Sequence, residues 1–384
     1  MPKEYEARWR HAGHYFLLLQ KADKRYRRGG DNLREGLELF DTEWINIRAA
    51  IEWCVRQAPA SDVGTLFCNR YLESGANLLH LCTHPAEHIR WREAALNAAR
   101  RLSDRAAEAN HLGSLGLLHS ALGHRERAIE IYRMALAVIC ESSDPAAQSF
   151  VLCNLGGCLT DAGEVEEAIT LLNQGLNIAR DLNDRDGEAK ALGNLANAYA
   201  VLGEVGKAGE YYLQQLKLVE ELGDQLSKAV ALCNVGLLLA ELGQPSKSLE
   251  YYEEALGIFR GVGDLRHEQN VLCNAGISLM STGEMRRACD AFDKAFIIAH
   301  ETGDDRGQAF ALFNSALALD NLGERAPAVG RAQEALGILE AIKDVNAEVV
   351  RAQLSEWGEA GDALAGRDSA DGNEEQNIVT LRRE

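Results

Sequence analysis

Proline is scarce in this sequence, with 6 residues in 384, and aromatic residues make up only 6% of the chain. Because proline breaks helices, and because alanine, leucine and glutamate are frequent, the composition favours helix over sheet. No apolar run reaches the roughly 20 residues that a membrane-spanning helix needs, and the N-terminal residues lack the apolar core of a secretory signal. The sequence therefore predicts a helical, cytoplasmic protein with no membrane partner.

The usual signals of catalysis and metal binding are also missing. The nine cysteines are spread through helical patterns without a CxxC pair, which predicts reduced thiols and no structural zinc site. No Ser/His/Asp grouping, paired-carboxylate pocket or glycine-rich phosphate loop stands out, so we expect no enzymatic activity and no cofactor. His80, His84 and His88 are spaced by four, but Pro85 interrupts the segment, and a metal site there is the weaker interpretation.

Charge is unevenly distributed along the chain, whose net charge is −18. Counting Lys and Arg against Asp and Glu, residues 1–57 carry about +2, whereas residues 105–358 carry −16. An acidic body of this kind repels nucleic acid and anionic membranes. We therefore expect no nucleic-acid partner, and a neutral or basic protein partner is favoured.

A period of 40 residues runs through most of the chain. Glycine recurs at Gly123, Gly163, Gly203, Gly243, Gly283 and Gly323. Aspartate recurs at Asp104, Asp144, Asp184, Asp224, Asp264, Asp304 and Asp344, and leucine at Leu112, Leu152, Leu192, Leu232, Leu272 and Leu312. Small residues follow four positions after each leucine, at Gly116, Gly156, Ala196, Gly236, Gly276 and Ala316. A repeat of this length is typical of stacked helical hairpins.

Each unit is predicted to contain two amphipathic helices, here called helix A and helix B, which carry apolar residues at helical spacing. The recurring glycine after helix A is a C-terminal cap signal, and the aspartate is placed to cap the next helix A. The small residue on helix A, together with a second small series beginning at Ala128, allows the two helices to approach closely. The sequence thus predicts a stack of closely packed hairpins.

The stretch ALGNLANAYAVLGEVGKAGEYYLQQL resembles the tetratricopeptide repeat (TPR), in the 40-residue form of kinesin light chains and LGN adaptors. The resemblance implies an all-α fold, a right-handed α-α superhelix or TPR solenoid, with six units over residues 105–344. Residues 58–104 are interpreted as a degenerate unit and residues 345–358 as a capping helix. Residues 359–384 are polar and acidic, and we expect them to be disordered.

Residues 1–57 show a different pattern, two long helices separated by Gly29-Gly30, and are predicted to form an N-terminal helical cap. Their motifs Arg10-His11-Ala12 and Asn46-Ile47-Arg48 resemble the linker that precedes the TPR array in STAND-type signalling ATPases. No Walker A motif occurs, so an ATPase domain would lie outside this sequence. The resemblance implies a sensor or scaffold arm of a signal-transduction system.

Asparagine occupies one position of helix A in five successive units, two residues after the recurring leucine. Because leucine faces helix B, this position lies on or near the inner wall, which we define as the surface of the A helices facing away from the B helices. An amide offers one acceptor and two donors, so a row of amides can bind the main chain of an extended peptide. The residues are Asn154, Asn194, Asn234, Asn274 and Asn314. In related arrays an asparagine at this place contacts the bound peptide, and the resemblance implies the same role here.

Neighbouring positions of helix A are expected to shape specificity. The candidate residues are Asn197, Lys190, Phe150, Asn270, Phe310 and Phe313. Two roles are open to the three phenylalanines: they anchor apolar side chains of a ligand, or they pack against the caps of the array. Lys190 is the one lysine in these positions, so capture of a C-terminal carboxylate by a cluster of cations is not expected. Two alternatives remain: the asparagines fix the stacking of the helices, or the array serves oligomerisation or autoinhibition with no peptide bound and self-associates.

Overall fold

The computed structural model describes residues 2–28, 31–142 and 144–364, and every regular element in these ranges is an α-helix. The predicted all-α class is therefore confirmed. The chain divides into two compact units, Met1–Glu204 and Val205–Glu384. Within the described ranges no helix is long and apolar enough to cross a membrane.

The helices of the first unit begin with a long hairpin and continue as shorter hairpins. They are α1 (Pro2–Arg28), α2 (Asp31–Gln57), α3 (Asp62–Ser74), α4 (Ala76–Cys82), α5 (Pro85–Arg101), α6 (Arg105–Ala121), α7 (Arg125–Ser142), α8 (Pro145–Ala162), α9 (Val165–Asp181) and α10 (Arg185–Val201). The helices of the second unit are α11 (Val205–Leu222), α12 (Gln225–Glu241), α13 (Pro245–Val262), α14 (Leu265–Ser281), α15 (Met285–Thr302), α16 (Asp305–Asn321), α17 (Arg325–Ala341) and α18 (Ala347–Leu364).

The 40-residue period reappears in the helix boundaries because the same capping residues recur. Six A helices, α6, α8, α10, α12, α14 and α16, begin directly after an aspartate whose side chain accepts a backbone N–H bond from the first turn. The recurring glycine between helix A and helix B has a left-handed backbone, with φ between 70° and 84°. Non-glycine residues rarely adopt this conformation, so the glycine stops each helix A at the predicted place.

Small residues let helix A and helix B of one hairpin approach closely. A Cβ on Gly116 would stand 2.5 Å from the ring of Tyr132, and one on Gly276 would stand 2.5 Å from the ring of Phe292. The second small series is also fully buried, with Ala128, Ala168, Ala208, Ser248, Ala288 and Ala328 at 0% exposure. A bulky side chain of helix B, Tyr132 or Phe292 in these two hairpins, thus packs directly on the backbone of helix A, and the close approach of the two helices is as predicted.

A substitution at this contact tests its contribution to stability. Gly276→Ala should lower the free energy of unfolding by about 1–3 kcal/mol, because Phe292 is fully buried and cannot move away from the new methyl group. Gly257→Ala, whose Cβ would have no atom within 4 Å, should raise it by about 0.5–1 kcal/mol through reduced freedom of the unfolded chain. Urea unfolding measures both, and equal effects would contradict the packing described.

The N-terminal hairpin packs on α3 through aromatic side chains. Trp9 of α1 meets Trp53 of α2 with ring centroids 4.4 Å apart, and Phe67 of α3 lies 5.2 Å from Trp9. The first helix of the degenerate unit is divided into α3 and α4 at Gly75, where a side chain would collide with Leu19 of α1. His84 caps α5 in the turn that contains Pro85.

A buried polar network, which the sequence analysis did not predict, joins α3, α5 and α6. Arg92 is 2% exposed and donates hydrogen bonds to the Leu72 carbonyl (3.0 Å) and to Nδ1 of His111 (3.2 Å). Because a guanidinium group only donates, Nδ1 of His111 carries no proton, and its Nε2–H donates to Oδ1 of Asn69 at 3.0 Å. Burial, assisted by the Arg92 charge, lowers the pKa of His111 to about 3.

The neutral state of His111 predicts a pH dependence of stability. The unfolded imidazole takes up a proton near pH 6.5, whereas the folded one resists protonation down to about pH 3. Stability from this group is therefore complete above pH 6.5 and falls by about 1.4 kcal/mol for each pH unit below it. His111→Gln keeps a donor and an acceptor but does not titrate. Urea unfolding at pH 7 and pH 5.5 should show the wild type losing about 1 kcal/mol more than this variant, and equal losses would contradict a buried neutral imidazole.

The C-terminal helix differs from the predicted boundaries. The capping helix was expected over residues 345–358, but α18 runs from Ala347 to Leu364, six residues into the segment expected to be disordered. Gly358 does not end the helix, because it does not have the left-handed backbone of a terminating glycine. The rest of the predicted tail, residues 365–384, lies outside the described residues.

Candidate functional site

The A helices of the first unit lie side by side, and neighbouring A helices contact each other in a constant register. A Cβ on Gly157 of α8 would lie 3.5 Å from the amide nitrogen of Asn194 on α10, and one on Gly113 of α6 would lie 3.3 Å from the ring of Phe150 on α8. The residues of each pair are 37 apart in sequence. The same separation of 37 residues places Lys190 of α10 over Cys153 of α8.

The asparagines of the first unit are already engaged within the protein. Asn194 donates its amide N–H to the Cys153 carbonyl of α8 at 3.0 Å, which ties two neighbouring A helices together. Asn154 donates to the Phe150 carbonyl of its own helix at 2.7 Å. Both side chains are half-buried. The stacking interpretation therefore holds for Asn194, although each amide retains its oxygen and one further N–H.

In the second unit the asparagines differ in accessibility. Asn234, Asn270 and Asn274 are half-buried on α12 and α14. Asn314 is only 1% exposed. Its predicted contact with a ligand is wrong, because its side chain belongs to the interior.

Of the two roles open to Phe310 and Phe313, the structure excludes ligand anchoring and supports packing against the C-terminal helix. They are 2% and 0% exposed and belong to the core cluster that includes Val350 and Trp357 of α18. The Arg306 guanidinium lies over the Phe310 ring, 5.1 Å from its centroid. These rings stabilise the end of the second unit and are out of reach of a ligand.

Phe150, by contrast, is 42% exposed on the inner wall of the first unit. Glycine at position 113 leaves room for the ring to lie against the backbone of α6. Lys190 and Asn197 of α10 are also exposed, as predicted for groove residues. The sequence position shared by Phe150 and Lys190 is occupied by Asn110 on α6, which is exposed too.

Arg70 of α3 extends this series, and the sequence analysis missed it. Its helix is in register with the later A helices, because the amide of Asn69 donates to Asp104 (3.1 Å) as that of Gln269, five periods later, donates to Asp304 (2.8 Å). Arg70 stands 40 residues before Asn110, so the repeat period alone could have identified it. We call the four exposed side chains the exposed row: Arg70, Asn110, Phe150 and Lys190.

The two cations of the exposed row have no carboxylate at ion-pair distance within the described residues. Arg70 has Glu73 nearby on the same helix; burial raises the pKa of the Glu73 carboxyl, and Asn110, Arg92 and Arg70 act on it in the opposite direction. Burial raises the pKa of Cys153 to about 11, and the Lys190 ammonium acts weakly in the opposite direction, which is consistent with its position over that thiol. The row therefore presents two positive charges in a protein of net charge −18.

Other candidate groups do not converge on a site. Nδ1 of His84 accepts the Ala86 N–H, and His88 is buried and accepts a hydrogen bond from Arg92. Among the described residues no group of three or more His, Cys, Asp or Glu side chains could hold a metal ion. The nine cysteines all lie within the described ranges, and none of them is in a disulfide.

The stacked hairpins define a helical repeat protein, and comparison with known proteins specifies the repeat. Family models of the tetratricopeptide repeat match residues 112–144 and 187–261. A search of curated proteins gave no match. The chain therefore contains tetratricopeptide repeats in these two ranges, and it has the all-α solenoid fold that the sequence predicted.

Several solved structures share this fold at low sequence identity. A Rap protein complexed with Competence and Sporulation Factor is 13% identical, with a TM-score of 0.58, over 93% of this chain and 99% of that one. Aspartyl phosphate phosphatase F from Bacillus subtilis is 13% identical, with a TM-score of 0.53, over 94% and 97%. A STAND protein with a TPR sensor from Pyrococcus horikoshii is 16% identical, with a TM-score of 0.55; the match covers 91% of this chain and 55% of that one.

The two asparagines of the first unit should differ in their contribution to stability. Asn194→Ala removes a hydrogen bond between helices and should lower the free energy of unfolding by about 0.5–1.5 kcal/mol. Asn154→Ala removes only a bond within one helix, which contributes little, so its effect should stay within about 0.5 kcal/mol. Urea unfolding of the two variants measures the difference. A larger loss for Asn154→Ala would contradict the assigned stacking role of Asn194.

Proposed function

We propose that this protein is a non-catalytic interaction scaffold whose inner wall in the first unit binds an extended segment of a partner protein. The exposed row carries this proposal, because it offers an aromatic ring, an amide and two cations on four successive A helices. Packed helices lie about 8–10 Å apart, so four of them span about 24–30 Å. An extended segment of about eight or nine residues covers that distance.

Each residue of the site has a distinct task in this proposal. Phe150 packs against an apolar side chain of the segment, since an exposed aromatic ring contributes large contact area. Lys190 pairs with an acidic group. Asn197 and the free amide groups of Asn154 and Asn194 bind the main chain, each hydrogen bond adding about 0.5–1.5 kcal/mol. In the second unit Asn234, Asn270 and Asn274 take the equivalent positions for a second segment.

The local charges modify the expectation of a neutral or basic partner. At physiological ionic strength charges more than about 8 Å apart are largely screened. Lys190 and Arg70 therefore favour acidic side chains at two points of the segment, although the acidic body as a whole repels an acidic protein.

Two of the structural neighbours make this function plausible. One is a Rap protein complexed with a named factor, and another is described as carrying a TPR sensor. Their likeness supports the fold of this chain, and we propose on that basis that its inner wall binds a protein segment. The resemblance of residues 1–57 to the linker of STAND ATPases further suggests a sensor arm of a signalling system.

Selection of peptides from a random dodecapeptide display library, with the whole chain as bait, tests the proposal. The combined variant Phe150→Ala and Lys190→Gln should weaken the selected peptides about tenfold or more, because it removes the ring and a charge of the exposed row. The melting temperature should stay within a few degrees of the wild type.

The matched control is Leu213→Ala with Lys217→Gln, which removes an exposed apolar side chain and an exposed lysine from α11, a B helix. It should leave the affinity unchanged. Peptides that are insensitive to the Phe150 and Lys190 changes would contradict the proposal. A dimer by light scattering that dissociates in the same variant would instead favour the oligomerisation arm.

A further inference from the structure

A small apolar cavity opens between α1 and α3, at the Arg70 end of the exposed row. Its volume is about 310 Å³, and it is lined by Gly13, Phe16, Leu17, Leu66, Phe67 and Arg70. Phe16 and Phe67 pack edge to face, with ring centroids 6.0 Å apart. Leu17 is 62% exposed and Leu66 is 39% exposed.

The cavity depends on a glycine at a place where a side chain would fit. A Cβ on Gly13 would have no atom within 4 Å, so neither packing nor backbone conformation requires glycine there. Glycine lowers the stability of a helix interior relative to alanine. The open space beside two exposed leucines is therefore a surface depression that this sequence leaves unfilled.

Arg70 connects the cavity with the exposed row. It lines the cavity and also occupies the row position shared with Asn110, Phe150 and Lys190. It forms no ion pair with a described residue; burial raises the pKa of Glu73 on the same helix, and the charge of Arg70 acts on that carboxyl in the opposite direction. A guanidinium group beside an apolar cavity suits a ligand that has an apolar part and a carboxylate within a few ångström of it.

The position of the cavity indicates what kind of ligand it receives. The cavity is bounded by α1 and α3, and the exposed side chains of Leu17 and Leu66 leave it open to solvent. A volume of about 310 Å³ accommodates one large apolar side chain in full, and Arg70, which lines the cavity, also belongs to the exposed row. A protein segment that continues along the exposed row satisfies both the cavity and Arg70.

We propose that this cavity is an anchor site for an apolar side chain of the partner segment, with Arg70 pairing with an acidic residue next to it in that segment. The inference rests on the proposed function, since it assigns one end of the same segment. It adds a specificity: the segment carries an aliphatic or aromatic residue beside Asp or Glu at the end that meets α1 and α3.

Titrations followed through the methyl signals of Leu17 and Leu66 by NMR test this assignment on the full chain. The probes are three capped heptapeptides, Gly-Ser-Gly-Asp-Leu-Ser-Gly, the same peptide with Lys in place of Asp, and the same peptide with Ser in place of Leu. The Asp–Leu peptide should shift both methyl signals and bind about 2- to 5-fold more tightly than the Lys–Leu peptide, the range expected for an exposed ion pair. The peptide without leucine should cause no shift.

Two variants separate the apolar from the charged contribution. Gly13→Leu fills the cavity and should abolish the shift of the Leu66 methyl signals, while Gly257→Leu, on an exposed and equally open site of α13, should leave it unchanged. Arg70→Gln should keep the binding of leucine peptides but remove the preference for Asp over Lys. Melting curves of all variants confirm that they fold.

Three outcomes would overturn the inference. The first is the absence of methyl shifts with the Asp–Leu peptide, and the second is binding that survives Gly13→Leu. The third is a shift with 3-phenylpropionate but none with any peptide, which would assign the cavity to small organic acids. Failure of the proposed function is separately visible, because Phe150→Ala with Lys190→Gln leaves the cavity residues intact.

Discussion

The packing of a bulky helix B side chain directly on the backbone of helix A is the contact on which the rest of the molecule depends. Tyr132, Tyr252 and Phe292 each lie where a Cβ on the facing glycine would come within 2.5–2.6 Å. This contact sets the distance between the two helices of a hairpin. It leaves the opposite side of helix A facing away from helix B. The inner wall, with its exposed row, follows from that geometry.

The inner wall shows how one sequence position can serve two purposes. Phe150 and Phe310 occupy the same place in the repeat, yet one is 42% exposed and the other 2%. Phe150 lies on the backbone at Gly113, whereas Phe310 is part of the core cluster that includes Val350 and Trp357 of α18. Asparagine behaves similarly: Asn194 joins two helices, and Asn314 is buried.

Much of the fold could be predicted from the sequence because its signals are local. Aspartate caps and left-handed glycines act within one turn, and helices such as α6, α8 and α10 begin where the 40-residue period placed them. The accessibility of the candidate site could not be predicted, because it depends on which helix lies next to each side chain. The Arg92–His111–Asn69 network escaped prediction for the same reason, since its members come from three helices and have no period. Arg70 was missed because its unit keeps the recurring leucine, at Leu72, but has Thr83 and Gly64 in place of the recurring glycine and aspartate.

The most direct measurement of the central claim is a crystal structure of the chain with a peptide selected by binding to it. The account predicts an extended peptide across α6, α8 and α10, with an apolar side chain against Phe150 and an acidic group near Lys190. A peptide bound on the surface of the B helices, with the inner wall unoccupied, would contradict it.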